Sequence, residues 1–268
     1  MTVALASVAI LVLYGYGVGR YRMKYPDRAF PLWRVAAFAA GVAIIAFALS
    51  PWSDALADRS FAAHMSQHIA LMLIAAPLLL MGAPLLLLVS VPPTRTARSI
   101  VAWAENPLVR VVFAPLTGWL VFVGLLWVAH FSPLYEAALE HPAIHVFEHA
   151  AFLTAALLFW MPVVQAGYTP QPVAFPARML YLVLMFPQGA FLGLAIYSAR
   201  AVLYPHYLLT QSFASALVDQ QNGGAIMWIA GGFIMFVAFM LTVGAWAYSE
   251  REVDGASTVL SRGSTGSP

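Results

Sequence analysis

Seven histidines carry most of the chemistry that this sequence offers: His64, His68, His130, His141, His145, His149 and His206. Two pairs, His64 with His68 and His145 with His149, are spaced i,i+4. On an α-helix that spacing sends both imidazoles from one face, about 6 Å apart along the axis. Such a pair can clamp one ion, and two facing pairs could complete a site. His141 stands one turn before His145, and Pro142 suits the first helical position, which places His141 at the cap. The competing reading is interfacial, with imidazoles snorkelling to water or bonding helix ends. It weighs most on His206, which lies in a Tyr-Pro-His-Tyr loop, and about evenly on His130 and His141. The chain has no cysteine. Thiolate metal sites, disulfides and thiol catalysis are therefore excluded together, and soft-metal chemistry falls to His and Met.

A second polar group, Asp219 to Asn222, marks the start of the last apolar segment, with Gly223, Gly224 and Met227 after it. Asp219, Gly223 and Met227 follow one another at i,i+4. Asp219 could orient a ligand imidazole through its other nitrogen, or serve as an N-cap. Met227 offers a thioether to a soft ion, as do Met65 and Met72. The glycines allow a neighbouring helix to come close. Glu136, Glu140 and Glu148 are acids near the same ends; Glu148 is turned about 100° from each neighbouring histidine, which suits a solvated or supporting role better than ligation.

The elements that must position these residues follow from composition. Of 268 residues, 62% are hydrophobic and 9% charged, against about 25% charged in soluble domains. Apolar runs reach the length of a bilayer crossing, roughly 20 residues. They cover about 3–19, 35–50, 61–91, 111–130, 143–165, 177–199 and 223–248. The first lacks a basic leader and is followed by Arg20, Arg22 and Lys24, as in a retained helix rather than a cleaved signal. Eleven of the 13 Lys and Arg residues fall in alternate loops and the tail, and only Arg59 and Arg200 fall in the others. The positive-inside rule then places the N-terminus outside and the C-terminus in the cytoplasm. The expected architecture is an all-α bundle of seven transmembrane helices over 1–248, with a disordered cytoplasmic tail over 249–268. All seven histidines then gather at the outer ends of helices. Basic residues scattered through short loops give no nucleic-acid footprint.

These residues carry a likeness. His64-Met-Ser-Gln-His68, His130-Phe-Ser-Pro-Leu-Tyr135, His145 with His149 followed by Phe152-Leu153 and Phe159-Trp160, Tyr204-Pro-His-Tyr207, and Asp219-Gln-Gln-Asn-Gly-Gly-Ala-Ile-Met-Trp228 resemble, in this order, the CtaG family of cytochrome c oxidase assembly proteins. Asn222 stands where a more apolar residue is expected. The resemblance implies a multi-pass protein of the bacterial plasma membrane that helps mature a haem-copper oxidase. It implies copper delivery to oxidase subunits or a copper carrier, with His64, His68, His145 and His149 as ligands and no catalytic role. His130, His141, Asp219 and Met227 are the further candidate metal residues.

Other functions remain open on the residues alone. Histidines on the third and fifth helices could ligate a b-type haem. A metal or proton transporter would need polar residues through the whole bilayer, and the cytoplasmic halves of the segments have almost none. A retinal protein needs a lysine in the last helix, and the one lysine, Lys24, lies in a loop.

Overall fold

A chain this apolar must satisfy its backbone polar groups locally, and the helix is the element that does so within one segment. The computed structural model describes residues 2–264, with side chains for 3–251, and every regular element among them is helical. In chain order these are α1 (Thr2–Lys24), α2 (Leu32–Ala48), α3 (Pro51–Ala57), α4 (Phe61–Ile69), a π-helical segment (Ala70–Ala75), α5 (Ala76–Met81), α6 (Pro84–Ser90), α7 (Thr94–Ala104) and α8 (Pro107–Val112). There follow α9 (Pro115–Phe131), α10 (Leu134–Glu140), α11 (Pro142–Val164), α12 (Phe175–Ser198), a 3-10 turn (Pro205–Leu209), α13 (Phe213–Ala225), a second π segment (Ile226–Ala230) and α14 (Gly231–Ser264).

Five of the described helical stretches are long and apolar enough to cross a membrane, among them Phe61–Ser90 and Phe213–Arg251. The count rises to seven if α2 with α3, bent by 56°, and α9 with α10, bent by 70°, each form one span. The chain breaks where its residues demand it. Ala83 adopts a left-handed conformation ahead of Pro84, which ends α5 and starts α6. Pro162 and Pro187, by contrast, lie inside α11 and α12. The expected seventh segment starts earlier than the sequence suggested. Ser212 caps α13, and the polar run Asp219 to Asn222 lies within the helix. Gln220 is consumed by neighbours: Leu203 N donates to its Oε1 (2.7 Å), and its Nε2 donates to Ala201 O (3.1 Å). At the other end, α14 continues to Ser264, so the segment expected as a disordered tail begins as helix; 265–268 lie outside the described residues.

Two cores hold the bundle. The larger joins α4, α9, α11, α12, α13 and α14 through Phe61, Phe122, Phe152, Leu182, Ala216 and Met235. The smaller ties α1, α2 and α6 through Tyr14, Phe38 and Leu87. Tyr14 stacks on Phe38 at 3.8 Å and donates to Gly82 O (2.7 Å), filling a bond left by the break at Ala83. α12 and α13 cross backbone to backbone. A Cβ at Gly224 would lie 2.7 Å from Gly193 O, and one at Gly193 would lie 2.6 Å from Gly224 O. Both positions need glycine because backbone meets backbone there, as the Gly223-Gly224 pair led one to expect.

Candidate metal centre

The site begins at the first turn of α4. Ser60 caps this helix, accepting from Ala63 N (3.2 Å). Asp219 reaches across from α13 to complete the cap. Its Oδ2 accepts from Phe61 N (2.6 Å) and its Oδ1 from Ser60 Oγ (2.7 Å) and, more weakly, Ala62 N (3.4 Å). Gln211 Nε2 donates to the same carboxylate (3.3 Å). A carboxylate at a helix N-terminus meets open N–H groups and the positive end of the helix dipole. Gly223, one turn on, seats the Phe61 ring, and Met227, another turn on, faces the interior beside α4. The stripe Asp219, Gly223, Met227 is therefore the face that α13 and its π extension turn to the histidine helix.

One turn into α4, His64 and His68 point inward and are fully buried or nearly so, at 0% and 1% exposure. Their Nε2 atoms lie 3.0 Å apart. From α11, His145 and His149 face them: the His64 and His145 rings lie 5.3 Å apart, and so do those of His68 and His149. The i,i+4 pairs thus meet across the helix pair, as the spacing predicted. Between them lies Glu148, 1% exposed, with Oε2 3.9 Å from His64 Nε2 and 4.0 Å from His68 Nε2. Of the solvated or supporting role expected for it, burial excludes the solvated one. Its sequence signal was its burial in an apolar helix, since an acid at such a depth must face a polar partner.

Two three-residue groups emerge, His64 with His145 and His149, and His64 with His68 and Glu148, each bringing one ligand atom apiece to within 4.8 Å of the others. Several of these atoms lack a hydrogen-bond partner: His68 Nδ1, His145 Nε2, His149 Nε2 and both Glu148 oxygens. Orphaned polar atoms in an interior are costly. A cluster of imidazole nitrogens and a carboxylate with this many unpartnered atoms has lone pairs to offer a cation.

The remaining candidates separate. His130, at the end of α9, is buried, with Nδ1 2.7 Å from Leu126 O and Nε2 3.3 Å from Met65 Sδ. It stands beside the cluster but in neither three-residue group. His141 caps α11, as Pro142 implied, and is exposed. His206 is half-buried in the 3-10 turn, where its backbone N–H donates to Glu136 Oε1 (2.7 Å). Asp219 binds the backbone of α4 rather than an imidazole.

A tyrosine layer lies against the cluster. Tyr207 Oη is 3.5 Å from His64 Nδ1 and 2.9 Å from Tyr135 Oη. Burial raises the Tyr204 and Tyr207 hydroxyls above the ordinary tyrosine range, so both stay protonated. A hydroxyl can donate or accept. Tyr207 can therefore serve His64 in either tautomer, with Nε2 bearing a proton or free to hold a metal. Farther down, Trp160 donates to Met72 O (2.8 Å), a carbonyl in the first π segment.

The family model for the cytochrome c oxidase caa3 assembly factor matches residues 12–249. The chain belongs to this family. Among curated proteins, uncharacterised proteins of Mycobacterium bovis, Mycobacterium tuberculosis and Mycobacterium leprae are each 23% identical over 259 residues, covering 93% of this chain. The chain spans 39% of the length of these relatives. No solved structure matches it. The family match supports a role in cytochrome c oxidase assembly, and its span takes in α4, α9, α11 and α13, which carry the histidine cluster and its cap.

Proposed function

We propose that this family member holds copper at the outer surface of a bacterial plasma membrane and passes it to an oxidase subunit or a copper carrier, acting as an assembly factor without catalysis of its own. In this reading the protein crosses the membrane seven times, with the N-terminus outside, the orientation that the loop charges favour. The observation that carries it is the convergence of His64, His68, His145, His149 and Glu148, with His68 Nδ1, His145 Nε2, His149 Nε2 and both Glu148 oxygens unpartnered. Without a thiolate, the set offers borderline nitrogen and hard oxygen donors, which suit copper and do not forbid exchange. The orphaned atoms near His145, which is only partly buried, put a ligand where a partner could compete for the ion.

The packing favours a bare ion over a haem. Imidazole rings stand 4.3–6.1 Å from one another across the cluster. The adjoining cavity holds about 50 Å³, too little for a porphyrin.

The test is metal analysis and an absorption spectrum of the purified protein, comparing wild type with His64→Ala/His68→Ala and Glu148→Gln. Near-stoichiometric copper with no Soret band, abolished in the double variant and weakened about 10–100-fold in Glu148→Gln, is the expected result. Equal copper in all three proteins would refute the site, and a Soret band would replace copper by haem.

A further inference from the structure

Next to the histidine cluster lies a half-open cavity of about 50 Å³. Five of the chain's 11 methionines line it: Met65, Met72, Met185, Met227 and Met235. His68 and His130 supply its polar wall. Methionines used only as filler close space, since the side chain is flexible enough to occupy an irregular gap. Here they surround one.

His130 gives the cavity a second, independent mark. Its Nδ1 lies 2.7 Å from Leu126 O, an atom that only accepts, so Nδ1 carries the proton. Nε2 then presents a lone pair, and its neighbour at 3.3 Å is Met65 Sδ, also a lone-pair atom. Two buried acceptors face each other with no hydrogen between them. A backbone carbonyl that fixes the tautomer and leaves the other nitrogen free is the usual support of a metal-ligating imidazole. With metal–nitrogen and metal–sulfur distances of about 2.0 and 2.3 Å, atoms 3.3 Å apart belong to one coordination sphere.

Two other residues reach the cavity from irregular backbone. Met72 lies in the π segment Ala70–Ala75 and Met227 in Ile226–Ala230. π turns occur often at functional sites, because the extra residue re-aims side chains.

We propose that this cavity is a second metal site, thioether-rich and selective for Cu(I), formed by Met65, Met227 and His130 with Met72, Met185 and Met235 around them. It deepens the copper reading above and rests on it. Thioethers and imidazole are soft enough for Cu(I) and poor for Zn²⁺ or Mg²⁺. The wall offers thioether and imidazole atoms from several helices, so it can supply the ligands. His68 borders both this cavity and the histidine cluster, and His130 borders both this cavity and an open pocket of about 410 Å³ beside Ser132, Glu136 and Tyr204. An ion can thus pass from pocket to cavity to cluster by exchanging one ligand at a time.

The experiment loads the purified full-length protein anaerobically with Cu(I) and measures copper per chain and the X-ray absorption spectrum. Three variants join the wild type: Met65→Leu/Met227→Leu, Met185→Leu/Met235→Leu, and His145→Ala/His149→Ala. Leucine conserves volume, and each variant's melting curve reports its folding. Wild type should show sulfur scattering. Met65→Leu/Met227→Leu should lose it together with about one copper per chain while keeping nitrogen-bound copper. His145→Ala/His149→Ala should keep the sulfur. Should Met65→Leu/Met227→Leu fail to fold, a fall in sulfur scattering in Met185→Leu/Met235→Leu supports the proposal and an unchanged signal overturns it. Copper bound through nitrogen and oxygen alone in wild type overturns this site and leaves the histidine cluster standing. No copper uptake at all overturns both.

Discussion

Replacing Asp219 separates a structural cap from a metal ligand. The carboxylate accepts four hydrogen bonds at the tip of α4, two of them at 2.6 and 2.7 Å, and touches no imidazole. A hydrogen bond to a charged group contributes about 1.5–3 kcal/mol, and an N-cap about 1 kcal/mol. The bonds share one carboxylate and are partly exposed, so they do not add in full; Asp219→Ala should cost about 2–4 kcal/mol. For a chain of this size that lowers the melting temperature by roughly 5–10 °C. Asp219→Asn keeps one acceptor oxygen and should cost about half as much. Ser60→Ala shares the same cap, so the double variant with Asp219→Ala should lose about 1–2 kcal/mol less than the sum of the singles. Copper affinity should fall by less than about tenfold, because His64 and His68 remain and only their helix loosens. The assays are thermal unfolding in detergent and competition with a Cu(I) chelator. A normal melting curve with copper lost entirely would make Asp219 a ligand and refute this assignment. A normal curve with normal affinity would refute the cap itself.

Two further outcomes follow from the packing and the donor set. Gly224→Ala places a Cβ 2.7 Å from both Gly193 O and Tyr197 N, atoms of backbone that cannot turn aside; it should destabilise the protein by about 1–3 kcal/mol, and a melting curve equal to wild type would show that α12 and α13 do not cross where described. Copper bound to the folded protein should raise its melting temperature, because a ligand held only by the folded state stabilises it; equal melting curves before and after removal of copper with a chelator would argue against a built site.

Much of the site was legible before any fold. The i,i+4 spacing fixed which imidazoles share a face, and apolar run length fixed which helices carry them; that His64 and His68 meet His145 and His149 comes from the packing of the helices. For Glu148 helical angle alone left a solvated or a supporting role, and burial removes the first. A 100° turn from its neighbours removes a residue from their face only when a single helix is considered, and here His64 and His68 of α4 stand 3.9 and 4.0 Å from its carboxylate. The start of α13 was misread for a related reason. A run of Asp219, Gln220, Gln221 and Asn222 looks like a boundary when its partners are unknown, yet two of those side chains bond to backbone in α4 and in the loop before α13. The methionine cavity was visible only as scattered thioethers; residues as far apart as Met65 and Met235 share a wall only after the helices pack.

The cap on α4 has a consequence for how the protein is made. Ser60 and Asp219 are 159 positions apart. A ribosome delivers the histidine helix long before it delivers the residue that fastens its tip. Until α13 has been made, the N–H groups of Phe61 and Ala62 lack their carboxylate, and Ser60 alone caps α4. The tip of the helix that carries His64 and His68 is therefore fastened late, when α13 arrives to meet it.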